Sequence, residues 1–149
     1  MGEFETNYAV ASMWLAIFMK SSTADDVERF GELSEFTPVE INLLSMVGSR
    51  KDMLLREFLE IVKIPKSTLT SIVNRLEKRD YLKRVINPRD KRSFGLELTE
   101  RGERFFTLYK TYQGEMGSKI LGGLDKEEQQ QLLHLLKKIT AHVMPGGGN

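Results

Sequence analysis

The spacing of hydrophobic and polar residues changes period within residues 66–98, so two different elements are predicted there. Up to residue 79 the period is helical, with one apolar stripe formed by Leu69, Ile72, Val73 and Leu76. After Asp80 the period becomes two, over residues 82–86 and again over 94–98, with a charged turn between the two runs. A helix followed by a β-hairpin is therefore predicted.

Polar side chains cover the other face of this predicted helix: Ser67, Thr68, Thr70, Ser71, Asn74 and Arg75. The hairpin turn ends in four charged residues, Arg89 to Arg92. A polar-faced helix followed by a basic hairpin is the winged helix-turn-helix arrangement. Its helix suits a major groove, and its hairpin suits the flanking groove or the backbone.

Two shorter helices are predicted just before this unit. Thr37 can cap the first of them and Glu40 completes a capping box, so this helix runs to about Val47. The second covers about residues 55–62 and ends in a short turn before a proline. Residues 55–79 are thus predicted to form the helix-turn-helix.

The helices predicted at the two ends carry more apolar surface than one small winged domain can cover. Residues 7–30 are predicted to form one long helix, and a helix capped by Thr99 is followed by a final helix. A partner subunit is the expected cover. We therefore predict a homodimer built from about residues 7–30 and 105–143, with Trp14 and Leu136 as the best markers of buried positions.

Composition narrows the class of protein. The 149 residues include no cysteine, which excludes disulfides, thiolate zinc sites and a cysteine redox sensor and fits a reducing cytoplasm. No apolar run approaches the roughly 18 residues of a membrane span, and no basic leader precedes the apolar patch near the N-terminus. We expect residues 1–149 to form one cytoplasmic domain without a membrane segment.

The net charge of +1 hides an uneven distribution. Residues 50–92 contain 13 basic and 6 acidic residues, whereas the rest of the chain contains 9 basic and 15 acidic ones. By itself this is compatible with an ordinary solvated surface. Because the positive charge coincides with the predicted helix and hairpin, it favours binding to nucleic acid.

Six short motifs follow one another through the central half of the chain. They are Thr37 with Glu40 and Leu44, Thr68-Leu69-Thr70, Leu76-Glu77, Leu82-Lys83-Arg84, Asp90-Lys91-Arg92 and Leu98-Thr99-Glu100-Arg101-Gly102. Together they resemble the MarR family of bacterial transcription regulators over roughly residues 33–106. The wing Asp-x-Arg followed by Leu-Thr-x-x-Gly is the strongest part of this joint signal, and the flanking helices match in placement only.

The resemblance implies a mainly α fold with a small β-hairpin wing, flanked by N- and C-terminal dimerisation helices. It implies a homodimer that places two winged domains on a pseudo-palindromic operator in double-stranded DNA. It often implies a repressor that is released from DNA by a small phenolic or otherwise amphipathic molecule. The chain departs from the family at Lys63, where a small residue is usual, at Leu59, where alanine is frequent, and at Asp80-Tyr81, where a glycine is usual.

The candidate DNA contacts follow from these elements. On the helix they are Lys66 and the six polar residues named above, since arginine can bind guanine and asparagine can bind adenine through two hydrogen bonds. In the hairpin they are Arg89, Lys91 and Arg92, which suit phosphate or the minor groove, and Arg84, which could contact the DNA backbone or support the wing. Asp90 would repel phosphate, so it is predicted to hold a neighbouring arginine or to form the turn, and these two roles are compatible.

Aromatic and methionine residues on the flanking helices are candidates for an effector pocket, although such spacing is also typical of core. They are Tyr8, Trp14, Phe18, Tyr109, Tyr112 and Met116. His134 and His142 have too few neighbouring ligands for a metal site, and neither a metal nor a cofactor is predicted.

Enzyme motifs are missing from the sequence, which contains no nucleophile elbow, no Walker loop and no His-Glu-x-x-His. The competing interpretation is a winged helix used as a protein-interaction module. Such modules lose basic residues on the second helix, whereas Lys66, Arg75, Lys78 and Arg79 are present here.

Overall fold

The computed structural model describes residues 2–20, 23–50, 52–87, 89–92 and 94–143, without the side chains of residues 18 and 20. Within them the elements are α1 (Glu3–Lys20), α2 (Ala24–Phe30), a 3-10 helix (Gly31–Glu35), α3 (Pro38–Ser49), α4 (Leu55–Val62), α5 (Lys66–Lys78), β1 (Leu82–Ile86), β2 (Phe94–Leu98), α6 (Glu100–Leu121) and α7 (Lys126–Val143). The predicted fold class, mainly α with a two-stranded hairpin, is confirmed.

The single N-terminal helix predicted over residues 7–30 is wrong. Thr23 has an extended backbone and caps a separate helix, α2, through a capping box with Asp26. Asp26 is buried and also accepts a hydrogen bond from Lys119 of α6. The Lys119 ammonium and the Thr23 backbone N–H lower the pKa of the Asp26 carboxyl to about 2, so this charged group ties α2 to α6.

The central helices follow the predicted pattern closely. Thr37 and Glu40 form the predicted capping box at the start of α3. The apolar stripe of α5 is buried and packs in one core with Leu43, Leu44, Phe58, Tyr81 and Phe105. This packing fixes which face of α5 points outward, because residues on opposite sides of a helix cannot both reach the core.

The hairpin is an antiparallel pair in which Leu82 lies opposite Leu98 and Ile86 lies opposite Phe94. Burial follows the strands only near the core end, where Leu82, Leu96 and Leu98 are buried. Towards the turn, Ile86 and Phe94 are 72% and 62% exposed. The alternating pattern therefore does not mark a buried face at this end of the hairpin. The wing therefore projects from the domain.

Two of the departures from the family pattern fall on residues with left-handed backbone. Lys63 has a φ of 54° at the end of α4, and Asp80 has a φ of 62° just after α5. At Asp80 the N–H groups of residues 80 and 81 bond to the carbonyls of Glu77 and Leu76, which is the Schellman arrangement. Glycine adopts this backbone without strain, which explains why small residues suit both positions.

We expect Lys63→Gly to stabilise the protein. Left-handed backbone costs a residue with a Cβ roughly 1–2 kcal/mol, whereas the added freedom of glycine in the unfolded chain costs about 0.4–1 kcal/mol. The net gain should be about 0.5–1 kcal/mol, measured by urea unfolding. Lys110→Gly is the matched control, because Lys110 is an exposed residue in the middle of α6 and its replacement should lose about 1 kcal/mol. Equal losses for both variants would contradict the strain at Lys63.

Candidate nucleic-acid interface

The outer face of α5 carries the seven predicted contact residues, and all of them are exposed: Lys66, Ser67, Thr68, Thr70, Ser71, Asn74 and Arg75. Pro65 precedes the helix and supplies no side-chain cap. The first-turn N–H groups of α5 therefore receive no cap from the residue before the helix, and a helix start of this kind suits a phosphate. The outer face thus combines hydroxyl, amide and cationic groups on one rigid helix.

Arg84 connects this helix to the wing. Its guanidinium donates to Asn74 Oδ1, and its Nη1 lies 3.1 Å from Glu77 Oε2. This bond uses one of the two lone pairs of Asn74 Oδ1, and the amide NH₂ group of Asn74 can donate to another partner. The predicted DNA contacts Arg84 and Asn74 therefore hold each other and set the position of β1 against α5.

Arg75 is anchored by Glu40 of α3. Its Nε donates to Glu40 Oε1 at 2.7 Å, across 35 residues of sequence. Burial acts to raise the pKa of the Glu40 carboxyl, but the hydrogen bonds from Thr37 and Arg75 outweigh it, so this pKa lies below its usual value. Glu40 is therefore charged at neutral pH although it is buried.

Arg89 is held by the start of α4. Its Nη1 lies 3.1 and 3.2 Å from the two carboxylate oxygens of Glu57, and its Nε lies 3.8 Å from Asp52. The Leu54 N–H and Arg89 lower the pKa of Glu57 despite an opposing effect of burial. The buried Asn87 accepts a hydrogen bond from the Arg89 N–H. Arg89 thus fastens the wing to α4. The sequence predicted only a DNA contact for this residue.

Asp90 accepts a hydrogen bond of 3.0 Å from the backbone N–H of Arg92. This is an Asx turn, which supports the turn-forming role proposed for Asp90. Lys66, Lys91 and Arg92 are exposed, and within the described part of the chain none has a carboxylate oxygen within 4 Å. These three cations are thus available to an external anion.

The helix and the wing face each other across a cleft of about 430 Å³. Lys66, Thr70, Arg84 and Arg92, four of the predicted contact residues, line it together with apolar residues of α4 and α5. The fold therefore brings contact residues from positions 66–70 and 84–92 to one surface. This surface can bind a polyanion through cations and offer hydrogen bonds to base edges.

We expect Asp90→Ala to weaken DNA binding and Asp90→Asn to restore most of it. Removing a negative charge near phosphate would by itself strengthen binding. Alanine also removes the acceptor that orders the turn, and the freed wing costs up to roughly 2 kcal/mol, whereas asparagine keeps the Asx turn. Fluorescence anisotropy with a selected DNA site measures the difference. Tighter binding by Asp90→Ala would leave simple electrostatics as the explanation.

The candidate effector-pocket residues that the structure describes differ in burial. Tyr8 and Trp14 of α1 are 68% and 63% exposed, whereas Tyr109 and Tyr112 of α6 pack against the core. Met116 is half-buried, and the Phe18 side chain lies outside the described residues. A pocket formed with a second subunit remains a prediction.

Two residues of this interface were not identified as such from the sequence. Glu40 and Glu57 each accept a backbone N–H at the start of a helix, and each bind an arginine of the DNA-facing elements. The capping motif was visible at Glu40, but its arginine partner lies 35 residues away. In the described ranges, no cluster of three or more acidic or histidine residues could hold a metal ion, and no helix is long and apolar enough to cross a membrane.

Comparison with known proteins shows similarity to one family over the winged part of the chain. Residues 34–93 match the sequence model described as "MarR family". The chain is 28% identical over 107 residues to the uncharacterized HTH-type transcriptional regulator YkoM of Bacillus subtilis, covering 72% of this chain and 70% of that protein. It is 25% identical over 104 residues to the HTH-type transcriptional repressor MdtR of the same organism, covering 70% and 67%.

A solved structure shows the same fold. The crystal structure of Streptococcus pneumoniae FabT in complex with DNA superposes with a TM-score of 0.75 at 21% identity, covering 95% of this chain and 97% of that one. Residues 34–93, which match the family model, contain α3, α4, α5, β1 and the turn of the wing. The sequence match over residues 34–93 and the shared fold make this chain similar to the MarR family of winged helix-turn-helix transcription regulators.

Proposed function

We propose that this protein is a sequence-specific regulator of transcription that binds double-stranded DNA and acts as a repressor. The observation that carries the proposal is the shared surface of α5 and the wing, where exposed hydrogen-bonding groups of the helix adjoin Lys66 and Arg92. The helix would enter a major groove and the wing would contact phosphate or the adjacent minor groove.

The proposed functional form is a homodimer in which residues 33–106 bind DNA and about residues 7–30 and 105–143 join the subunits. Support comes from exposed apolar residues on α1 and α7, among them Trp14, Leu133, Leu135 and Ile139. An apolar face of this extent is unusual on a monomer. A two-fold axis would present two copies of α5 to a pseudo-palindromic operator, with half-sites about one helical turn apart.

The repressor is proposed to be released by a small amphipathic ligand. The aromatic residues of α1 and α6 supply apolar surface for such a molecule, and α2 and α6 connect that region to the winged part. A ligand can lower DNA affinity only if it prefers a spacing of the two α5 helices that does not fit the operator. A coupling of about 1–3 kcal/mol is typical of such systems.

Selection of bound duplexes from a random pool, followed by affinity measurements over a range of salt, tests DNA recognition. We expect an inverted repeat to be enriched. Two helices and two wings should neutralise on the order of 6–10 phosphates, so the log–log salt slope should be about −5 to −9. No enriched sequence together with a shallow slope would contradict the proposal and favour the protein-interaction module.

A further inference from the structure

Glu40 occupies an unusual position for a charged residue beside a DNA-facing helix. Its side chain is 3% exposed, at the start of α3. One carboxylate oxygen, Oε2, accepts hydrogen bonds from the Thr37 N–H at 2.8 Å and the Thr37 hydroxyl at 3.0 Å. The other oxygen, Oε1, accepts from Arg75 Nε at 2.7 Å. Both oxygens are thus engaged, and the carboxylate is fixed by the backbone of α3.

This anchor determines how Arg75 is presented. A guanidinium has five N–H donors in a planar fork, and the bond to Glu40 uses the Nε one. Among the described residues, no hydrogen bond is made by Nη1 or Nη2 of Arg75, and 52% of the side chain is exposed. The end of the fork, with two parallel donors, points away from the anchor. Two such donors match the O6 and N7 acceptors of guanine.

Arg89 shows the contrasting arrangement within the same chain. There Nη1, at the end of the fork, faces both carboxylate oxygens of Glu57, so that end serves to fasten the wing. Both glutamates accept a backbone N–H at a helix start, yet only Glu40, which binds the Nε group, leaves the outer edge of its arginine available. The guanidinium nitrogen that the glutamate binds therefore decides whether the end of the arginine side chain stays available for another partner.

We propose that Glu40 is a positioning residue for base recognition, which holds Arg75 so that its Nη1 and Nη2 groups read one guanine in each half-site. The inference rests on the proposed function and deepens it by assigning a base preference. Glu40 itself does not contact DNA. Its contribution is to order a long side chain before binding, so that less rotamer entropy is lost in the complex.

Base preference at each operator position, measured with a panel of single-base variants, tests the proposal. Arg75→Ala should abolish a guanine preference on the order of ten- to a hundred-fold at one position per half-site. Glu40→Gln should reduce the same preference at least about threefold. A glutamine amide offers one acceptor oxygen where the carboxylate offers two, so the cap and Arg75 compete for it. In Arg75→Ala, adding Glu40→Gln should change nothing further.

Two controls separate positioning from charge and from stability. Glu35→Gln removes an exposed carboxylate that pairs with Arg79, and by charge alone it should strengthen binding to all sequences slightly. Thr37→Ala weakens the α3 cap but leaves Glu40 Oε1 on Arg75, so it should lower stability and keep the guanine preference.

If Glu40→Gln fails to fold, Glu40→Asp is used, because Thr23 and Asp26 show that aspartate completes such a cap in this chain. Aspartate is too short to hold Arg75 in the same place, so the preference should fall.

Failure of the positioning role can be distinguished from failure of the proposed function. If the unmodified protein selects no sequence, DNA regulation itself is refuted. If it selects an operator but Arg75→Ala weakens all sequences equally, Arg75 contacts phosphate and the guanine assignment is overturned. If Arg75→Ala relaxes one position while a folded Glu40→Gln or Glu40→Asp keeps the full preference, Glu40 has only a structural role and the positioning is overturned.

Discussion

Replacing Trp14 with glutamate is expected to convert the protein to a monomer and to weaken operator binding by roughly 100-fold or more. Trp14 is 63% exposed on α1, so the substitution should leave the protomer core intact. In a dimer the new carboxylate would be buried in an apolar interface, where an unpaired charge is strongly unfavourable. A monomer would lose the advantage of binding two half-sites at once, which explains the size of the effect.

Sedimentation at micromolar concentration and DNA titration measure this prediction together. Trp14→Phe is the matched control, because it keeps an aromatic side chain and should remain dimeric with nearly normal affinity. Leu136→Glu provides an independent site, since Leu136 of α7 lines an apolar cleft of about 520 Å³ beside α6. Dimers of unchanged affinity for both glutamate variants would contradict the assignment of α1 and α7 to the subunit interface.

Gly102→Ala is expected to destabilise the fold by about 3 kcal/mol. Gly102 lies in the first turn of α6, where its N–H donates to the Thr99 hydroxyl. A Cβ at this position would lie 2.1 Å from the Tyr81 carbonyl oxygen and 3.2 Å from Leu98 Cβ. A backbone carbonyl cannot rotate away as a side chain can, so α6 would have to move from the hairpin.

Thermal unfolding should show this loss as a fall in Tm of roughly 6–12 °C for a chain of this size. Gly31→Ala is the control. Gly31 has helical backbone and a Cβ there would meet nothing within 4 Å, so alanine should maintain or slightly raise stability. Similar Tm values for the two variants would contradict the close approach of α6 to Tyr81.

Several site residues were placed correctly on the surface by sequence alone, yet their roles needed the structure. Periodicity put Asn74 and Arg75 on exposed positions of α5, as observed. It could not show that Arg84 bonds to Asn74 or that Arg89 faces Glu57, because each pair joins different elements. Whether a cation is available for DNA depends on carboxylates that lie far away in sequence.

The sequence by itself determined the elements and the outward face of α5, because helical and strand periods, capping boxes and turn residues act over a few neighbouring positions. The break before α2 carried such a local signal at Thr23 and Asp26, although a continuous helix was predicted. Only the tertiary structure decided that Glu40 anchors Arg75, that Glu57 fastens Arg89 and that Gly102 must lack a Cβ. These features arise where α3, α4 and α6 pack against α5 and the hairpin, and no local pattern encodes such contacts between distant residues.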